Sequence, residues 1–358
     1  MKNLSVVLLL LIFGDRLVAQ PLTKATEYVD SFAVKTNFNG TILIARKGKP
    51  MFTKSYGFAN MQFKVLNTAD TKYKVASITK AFTSVLIMQL QEEGRIDLNK
   101  TISIYLPNYK GEGATKVTVQ QLLTATSGIA NIDEGLSLEG ALKNGIPHYT
   151  LPRSTDDMLN LFSSGKLNKV PGKTFDYNNA DFIILGKIIE NVTGKSFEDN
   201  LKERILHPLN MANSGIAYQQ PVIAKLANTY YFNDKGIYMN DLPVYIENWY
   251  ASGNMYSTVD DILKFANGLF GRQLVKQASL DKMFISGLGE YGYGLWVYKN
   301  YDIHKKMYTI IKRPGSIMGA QAMLFHVLED NTTIIILSNA TSVGLDNVAA
   351  KIADRVLD

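Results

Sequence analysis

The stretch Tyr73-Lys-Val-Ala-Ser77-Ile-Thr-Lys80-Ala-Phe-Thr83 leads into an apolar run with helical periodicity that ends at Gly94. Residues i and i+3 share one face of a helix, so the Lys80 amine can meet the Ser77 hydroxyl. Burial on an apolar helix can hold a lysine neutral, and N-terminal backbone N–H groups can face a developing oxyanion. The pattern predicts Ser77 as a nucleophile and Lys80 as its base; the alternative is that Ser77 is a helix cap.

The Ser-x-x-Lys spacing occurs three times, so spacing alone does not identify a site. Ser163 and Lys166 enclose a glycine in a polar turn, and Ser279 and Lys282 begin an ordinary amphipathic segment. Only the first copy precedes a strongly apolar helix. We therefore assign the chemistry to that copy.

A second proton carrier is offered by Tyr177-Asn-Asn179, which follows Pro171-Gly172 and directly precedes an apolar helical run. A phenol can relay a proton, and an amide can hold a substrate amide or carbonyl. Three further Tyr-x-Asn triplets, at 231–233, 238–240 and 298–300, have no such frame. They are interpreted as ordinary surface or core tyrosines.

Composition excludes several other chemistries. The 358 residues include no cysteine, four histidines without ligand spacing, and a net charge of only +6 with no basic run. Thiol catalysis is therefore excluded, nucleic acid is not an expected partner, and no metal or cofactor is predicted. The pairs Asp156-Asp157 and Asp260-Asp261 follow Ser or Thr at helix starts, where acidic residues are expected without a metal.

The N-terminus is typical of an export signal. Lys2 precedes an apolar run, Leu4–Phe13, too short to span a bilayer, and Ala19 offers a small residue before Gln20. We predict that residues 1–19 are a signal peptide and that the mature chain is periplasmic or secreted, without a stable membrane span. An uncleaved anchor and a buried helix are the alternatives.

The order of elements predicts the architecture of residues 20–358. Strand-like runs lie near both ends, at about 22–75 and 285–358, and helical patterns fill about 80–270. Short connections near the end indicate antiparallel pairing. The chain is therefore predicted to be an α/β protein of the α+β type, in which an antiparallel sheet is flanked by helices and an all-helical region is inserted.

Six landmarks come in the order and approximate spacing of the class C β-lactamase-like serine hydrolases, which include D-Ala-D-Ala carboxypeptidases, D-aminopeptidases and esterases. The chain resembles this group from Gly40 to the C-terminus. The landmarks are Ser77-Ile-Thr-Lys80, Leu122-Leu-Thr-Ala-Thr-Ser-Gly128, Tyr177-Asn-Asn179, Leu185-Gly-Lys-Ile-Ile-Glu-Asn-Val-Thr-Gly194, Pro208-Leu-Asn-Met211 and Ser252-Gly-Asn-Met-Tyr-Ser-Thr-Val-Asp-Asp261.

The resemblance implies that Ser77 is acylated, that Lys80 accepts its proton, that Tyr177 relays it and that Asn179 binds substrate. The family's third motif is Lys-Thr-Gly or His-x-Gly, and here the corresponding strand reads Arg313-Pro-Gly315-Ser316.

Arg313 is expected in the position of the family's cation, where it would attract a substrate carboxylate. Gly315 would permit close backbone approach, and the N–H of Ser316 would join that of Ser77 in an oxyanion hole. Pro314 lacks an N–H and is acceptable only where the sheet does not need one, such as on an edge strand.

These features predict an exported serine hydrolase that forms an acyl-enzyme on a β-lactam, a D-amino-acid peptide or a small ester. The substrate is a small molecule or peptide, anionic if Arg313 contacts it. The alternative is a non-catalytic or slowly deacylating penicillin-binding or sensor protein on the same fold. The sequence does not define the oligomeric state.

Overall fold

A computed structural model describes residues 22–233, 235–341 and 344–358. The predicted signal peptide, residues 1–19, lies outside the described residues. No helix within the described ranges is long and apolar enough to cross a membrane.

A six-stranded antiparallel sheet joins the two ends of the chain, as predicted. Its strands are β1 (Gly40–Arg46), β2 (Lys49–Tyr56), β10 (Trp296–Ile303), β11 (Lys306–Ile317), β12 (Ala320–Val327) and β13 (Thr332–Ser338). The strand order is β10-β11-β12-β13-β1-β2, so the N-terminal hairpin continues a C-terminal meander, and Gly40 pairs with Ser338.

Helices cover both faces of this sheet. A first helix, α1, covers residues 22–36 and shares one apolar core with α11. A second and larger core lies between the other face and the middle of the chain, where α2 is buried along most of its length. The remaining helices are α2 (Thr79–Glu92), α3 (Ile102–Tyr105), α4 (Val119–Leu123), α5 (Leu138–Asn144), α6 (Thr155–Phe162), α7 (Asn179–Thr193), α8 (Phe197–Leu201), α9 (Val259–Phe270), α10 (Gln277–Met283) and α11 (Leu345–Val356).

Within the described residues, short strands also lie outside the main sheet: three precede residue 80, and four, between residues 215 and 257, fall inside the region that was predicted to be all-helical. They form small sheets with pairings of two or three residues, too short to leave a periodic pattern in the sequence. The short strands are β3 (Phe58–Asn60), β4 (Val65–Leu66), β5 (Tyr73–Lys74), β6 (Gly215–Ile216), β7 (Tyr230–Phe232), β8 (Tyr238–Asn240) and β9 (Met255–Ser257).

Pro314 lies in β11, which is not the edge strand of the sheet. The edge strand β10 begins at Trp296, opposite Lys312, so β11 beyond that point is paired only with β12. The missing N–H of Pro314 is therefore tolerated on a local edge. This part of β11, which has no partner in β10, packs against the turn that carries Ser77.

Candidate active site

Ser77 lies on a tight turn between β5 and α2. Strand β5 pairs with β9, and the next backbone N–H, that of Val75, donates to the Met255 carbonyl at 3.0 Å. Ala76 then adopts a positive φ of 48°, a conformation that costs energy for a residue with a side chain. The turn leaves Ser77 half-buried at the start of a helix that is otherwise inside the protein.

Lys80 is completely buried one helical turn further along and faces Ser77. Its Nζ donates to Ser77 Oγ at 3.1 Å, to Asn179 Oδ1 at 2.5 Å and to the Ser252 carbonyl at 2.8 Å. The pKa of Lys80 is lowered to about 8, first because burial disfavours the charged amine and further because Arg313 is near. At neutral to mildly alkaline pH a part of this lysine is therefore neutral and able to accept a proton.

Tyr177 comes from the loop that precedes α7 and lies over the lysine, with Lys80 Nζ 4.9 Å from its ring centroid. The backbone carbonyl of Tyr177 accepts a hydrogen bond from Asn131 Nδ2 at 2.9 Å. Burial alone would raise the pKa of Tyr177, but the cations Arg313 and Lys80 outweigh it and lower the pKa to about 8. Lys80 and Tyr177 therefore act on each other: the charged lysine lowers the pKa of Tyr177, and the charged phenolate raises the pKa of Lys80.

Arg313 lies behind Tyr177 and is fully buried. Its Nε donates to the Ser77 carbonyl at 2.6 Å, one terminal nitrogen donates to the Tyr177 hydroxyl, and the other donates to Tyr291 Oη at 3.2 Å. Its guanidinium also lies 5.1 Å from the Trp296 ring. The residue occupies the expected strand position, but it contacts catalytic candidates and does not line the open pocket.

Asn179 is buried at the first position of α7. Hydrogen bonds at both the oxygen and the nitrogen of its side-chain amide fix the orientation of that amide. The carbonyl oxygen accepts from Lys80, while Nδ2 donates to Asp133 Oδ2. A second oxygen of Asp133 accepts from Tyr149 Oη at 2.7 Å, and the Tyr149 ring stacks on Trp249 at 3.5 Å. The Asn179 amide, which was predicted to bind substrate, is thus hydrogen-bonded to Lys80.

Sequence reasoning missed Asp133. It lies in the segment 129–152, which has no periodic pattern to predict its position. Asn131 and Asp133 of this segment contact the segment that carries Tyr177 and Asn179. A carboxylate two residues from an asparagine, just after the Ser127-Gly128 landmark, is the one signal available in the sequence, and it is weak.

The Gly315 backbone closes the site from the β11 side. A Cβ at Gly315 would lie 2.4 Å from the Val75 carbonyl and 3.0 Å from the Ser77 nitrogen, so the strand approaches the nucleophile as only glycine permits. Since N–H directions alternate along a strand, the Ser316 N–H points to the same local edge as the Pro314 nitrogen. The Ser316 side chain is exposed at the pocket.

A cavity of about 310 Å³ opens beside these residues and is lined by Ser77, Tyr177 and the β11 and β12 backbones. Of the described residues that line it, Asp346 alone carries a charge, and it pairs with Lys312 Nζ at 2.5 Å. The other described residues that line the pocket are uncharged, and they include two serines, a tyrosine, a glutamine and the apolar residues Trp296, Met323 and Leu345.

A serine beside a buried lysine and a tyrosine of lowered pKa, on a sheet joined from both chain ends, defines a serine hydrolase of the β-lactamase and penicillin-binding class. The sequence matches the Beta-lactamase family over residues 26–357. The chain belongs to that family, as the sequence resemblance predicted.

Among curated proteins, the chain is 35% identical to Protein flp of Staphylococcus aureus over 178 residues, 49% of this chain and 34% of that protein. It is 28% identical to the teichoic acid D-alanine hydrolase of the same species over 242 residues, 66% of this chain and 55% of that protein. The chain thus spans about a third and about half, respectively, of these relatives.

Solved structures share the fold over most of the chain. A penicillin-binding protein from Bacillus halodurans has a TM-score of 0.76 at 26% identity, covering 90% of this chain and 98% of that one. A D-amino acid amidase from Ochrobactrum anthropi has a TM-score of 0.74 at 22% identity, covering 94% and 97%. The second likeness concerns the fold alone.

Proposed function

We propose that this chain is an exported hydrolase that forms an acyl-enzyme through Ser77 and cleaves an ester or amide bond of a D-amino-acid compound. The observation that carries the proposal is the 3.1 Å contact between Ser77 Oγ and the buried Nζ of Lys80, whose pKa is lowered to about 8. A general base is most effective when its pKa lies near the working pH.

The proposed reaction has two steps. Ser77 Oγ attacks the carbonyl carbon while its proton passes to the Lys80–Tyr177 pair, and the N–H groups of Ser77 and Ser316 receive the oxyanion. The pair then returns a proton to the departing alcohol or amine. A water molecule attacks the acyl-serine by the same proton path in reverse, and this releases the acid and restores Ser77.

The substrate class is proposed from the pocket and the relatives. Relatives and structural neighbours include a teichoic acid D-alanine hydrolase and a D-amino acid amidase. Arg313 suggested an anionic substrate from sequence, but its buried guanidinium points to Tyr177 and Tyr291. We propose that the scissile compound needs no carboxylate and that Arg313 acts on Tyr177.

The test uses two covalent probes, a fluorescent penicillin and a fluorophosphonate, read by intact mass. The expected result is a single adduct on the wild-type chain, absent from Ser77→Ala and retained in Ser279→Ala, the matched second Ser-x-x-Lys serine. Rapid loss of the penicillin adduct with formation of product supports the hydrolase. A stable adduct would instead support the slowly deacylating binding protein, and no adduct from either probe contradicts the proposal.

Export is tested separately by expressing the full chain and measuring the mass of the mature protein outside the cytoplasm. Cleavage after Ala19 is expected. A full-length chain confined to the cytoplasm would contradict this part of the proposal and leave the hydrolase part intact.

A further inference from the structure

Exposed apolar side chains lie outside the Ser77 pocket, where two hairpins and the end of α1 meet. Phe63 is 81% exposed at the turn between β3 and β4, and Leu66 is 62% exposed beside it. We call this cluster the apolar tip. Its members are Val34, Phe63, Val65, Leu66, Ile237 and Met239.

Hydrogen bonds hold the three segments of the apolar tip together. Gln62 Nε2 donates to Asn240 Oδ1 at 2.8 Å, linking the β3–β4 turn to β8. Tyr238 Oη donates to the Asn37 carbonyl at 2.5 Å, linking the β7–β8 hairpin to the end of α1. Because these hydrogen bonds join segments that are far apart in sequence, the apolar tip is part of the folded structure and is not an isolated loop.

A largely apolar cavity of about 470 Å³ opens between these segments. Phe38, Phe58 and Met61 line it, and Lys64 lies at its wall. Monomeric proteins rarely leave apolar side chains contiguous on their surface, and such patches mark interaction sites. A cavity of this size and lining suits an apolar chain or side chain from outside.

The charges around the apolar tip favour an anionic occupant. Lys35 and Lys64 are exposed and stand next to Val34 and Phe63, and the carboxylate nearest to them in α1, Asp30, already pairs with Lys54 at 2.6 Å. A twofold contact between copies of the chain would oppose two surfaces of the same sign. An anionic bilayer instead combines negative headgroups with an apolar interior, the two chemistries that lysine and phenylalanine match.

We propose that the apolar tip docks the protein on an anionic lipid bilayer, with Phe63 and Leu66 entering the interface and Lys35 and Lys64 facing headgroups. The inference concerns a surface outside the Ser77 pocket and does not depend on the proposed function.

The tip also connects to the pocket wall. Tyr230 Oη accepts from the Met61 N–H at 2.9 Å, and a Cβ at Gly319 would lie 2.3 Å from the Tyr230 carbonyl. Gly319 is in the turn between β11 and β12, and Gly315 lies near the end of β11 that leads into this turn. A docked tip would therefore hold the pocket wall in a fixed relation to the bilayer.

The chain contains no cysteine, so a single introduced thiol reports on one position. Phe63→Cys and the control Ile104→Cys, which replaces another exposed apolar residue (61%) on α3, are labelled with a polarity-sensitive fluorophore. On adding vesicles of phosphatidylglycerol and phosphatidylcholine, the label at position 63 should shift to the blue and the label at 104 should not. Vesicles of phosphatidylcholine alone should bind at least about fivefold more weakly.

Unlabelled variants give a second readout by vesicle sedimentation. Phe63→Asp and Lys64→Glu should each reduce binding at least about fivefold, while Ile104→Asp should leave it unchanged. Equal shifts at positions 63 and 104, or none at either, overturn the proposal. A blue shift at 63 that depends on protein concentration without vesicles also overturns it, because it would show contact between copies.

Discussion

Two of the three Ser-x-x-Lys copies, the one at Ser77 and the one at Ser279, have opposite surroundings. At the start of α2, Lys80 is fully buried and donates to three oxygens, those of Ser77, Asn179 and Ser252. In α10, Lys282 is exposed, and the Ser279 hydroxyl donates to Glu92 Oε1 at 2.5 Å. The sequence spacing is identical, but one serine faces an amine and the other faces a carboxylate.

The difference shows what converts the motif into a site. Burial lowers the pKa of an amine, and the three acceptors around Lys80 fix its direction toward the serine. Two of those acceptors, Asn179 and Ser252, come from segments about 100 and 170 residues away along the chain. The reactivity of Ser77 therefore depends on the folded structure around it. The Ser-x-x-Lys spacing is necessary for that reactivity but is not sufficient.

The largest effect is expected from removing the buried amine. Lys80→Met should lower the rate of acylation by about a hundred- to ten-thousand-fold, because the general base is lost. Lys282→Met, the matched change in the second copy, should leave the rate unchanged. Burst kinetics with a chromogenic ester measure both, and equal rates for the two variants would remove the distinction between the copies.

Gly315→Ala tests the close approach that only the first copy receives. The added Cβ would lie 2.4 Å from the Val75 carbonyl, so the strand or the turn has to move. We expect the free energy of unfolding to fall by about 1–3 kcal/mol, together with a loss of acylation. Gly165→Ala, in the polar turn of the Ser163 copy, meets nothing within 4 Å and should change neither the unfolding midpoint nor the rate.

Arg313→Gln tests whether the guanidinium acts on Tyr177 or on substrate. Without the cation, the pKa of Tyr177 should rise, because Arg313 is the largest of the effects that oppose burial. Acylation at neutral pH should fall by about tenfold, the factor for one pKa unit, and to the same extent for neutral and carboxylate-bearing esters. A loss confined to carboxylate-bearing esters would restore the anionic-substrate hypothesis.

The smallest effect is expected at Asp133 and appears in the pH profile. Lys80 accepts a proton only when neutral, so acylation should rise with pH through its pKa of about 8. The groups facing it are Tyr177, Arg313, Asp133 and Asp181, and Asp133 raises the pKa of Lys80 less than Tyr177 does.

Asp133→Asn should therefore move the ascending limb slightly to lower pH. The plateau should fall by about three- to tenfold, the factor for one hydrogen bond of about 1 kcal/mol. Tyr149→Phe removes a hydrogen bond to the same carboxylate but keeps its charge, so its limb should not move. Coincident limbs for Asp133→Asn and wild type would show that the carboxylate does not act on Lys80.

Much of the fold was predictable because long elements leave periodic patterns. The strands near both ends of the chain and the helix after Ser77 were placed from such patterns. In the region predicted to be strand-like from about residue 285, the first strand begins only at Trp296. The reason is Gly294, which has a φ of 74° and lies so close to α2 that a Cβ would be 2.3 Å from Ser84 Oγ.

The candidate site was predictable only where short motifs carry it. Ser77, Lys80, Tyr177 and Asn179 were named from sequence, and the structure brings them together. The direction of Arg313 was not predictable, because alternation assigns a strand face but not the side-chain partners. Whether Arg313 meets solvent or Tyr177 depends on Tyr291 and Trp296, which approach from a neighbouring strand and loop.

The pairing of Gly40 with Ser338 has a consequence for the order of folding. Contacts so distant in sequence raise the contact order and carry a large loop-closure entropy, both of which slow folding. During synthesis, β1 cannot pair with β13 until the C-terminal part of the chain has been made. In the same way, the pocket beside Ser77 cannot form until the segment that contains Gly315 has been made. A growing chain therefore carries its nucleophile for some 240 residues before it can have a site.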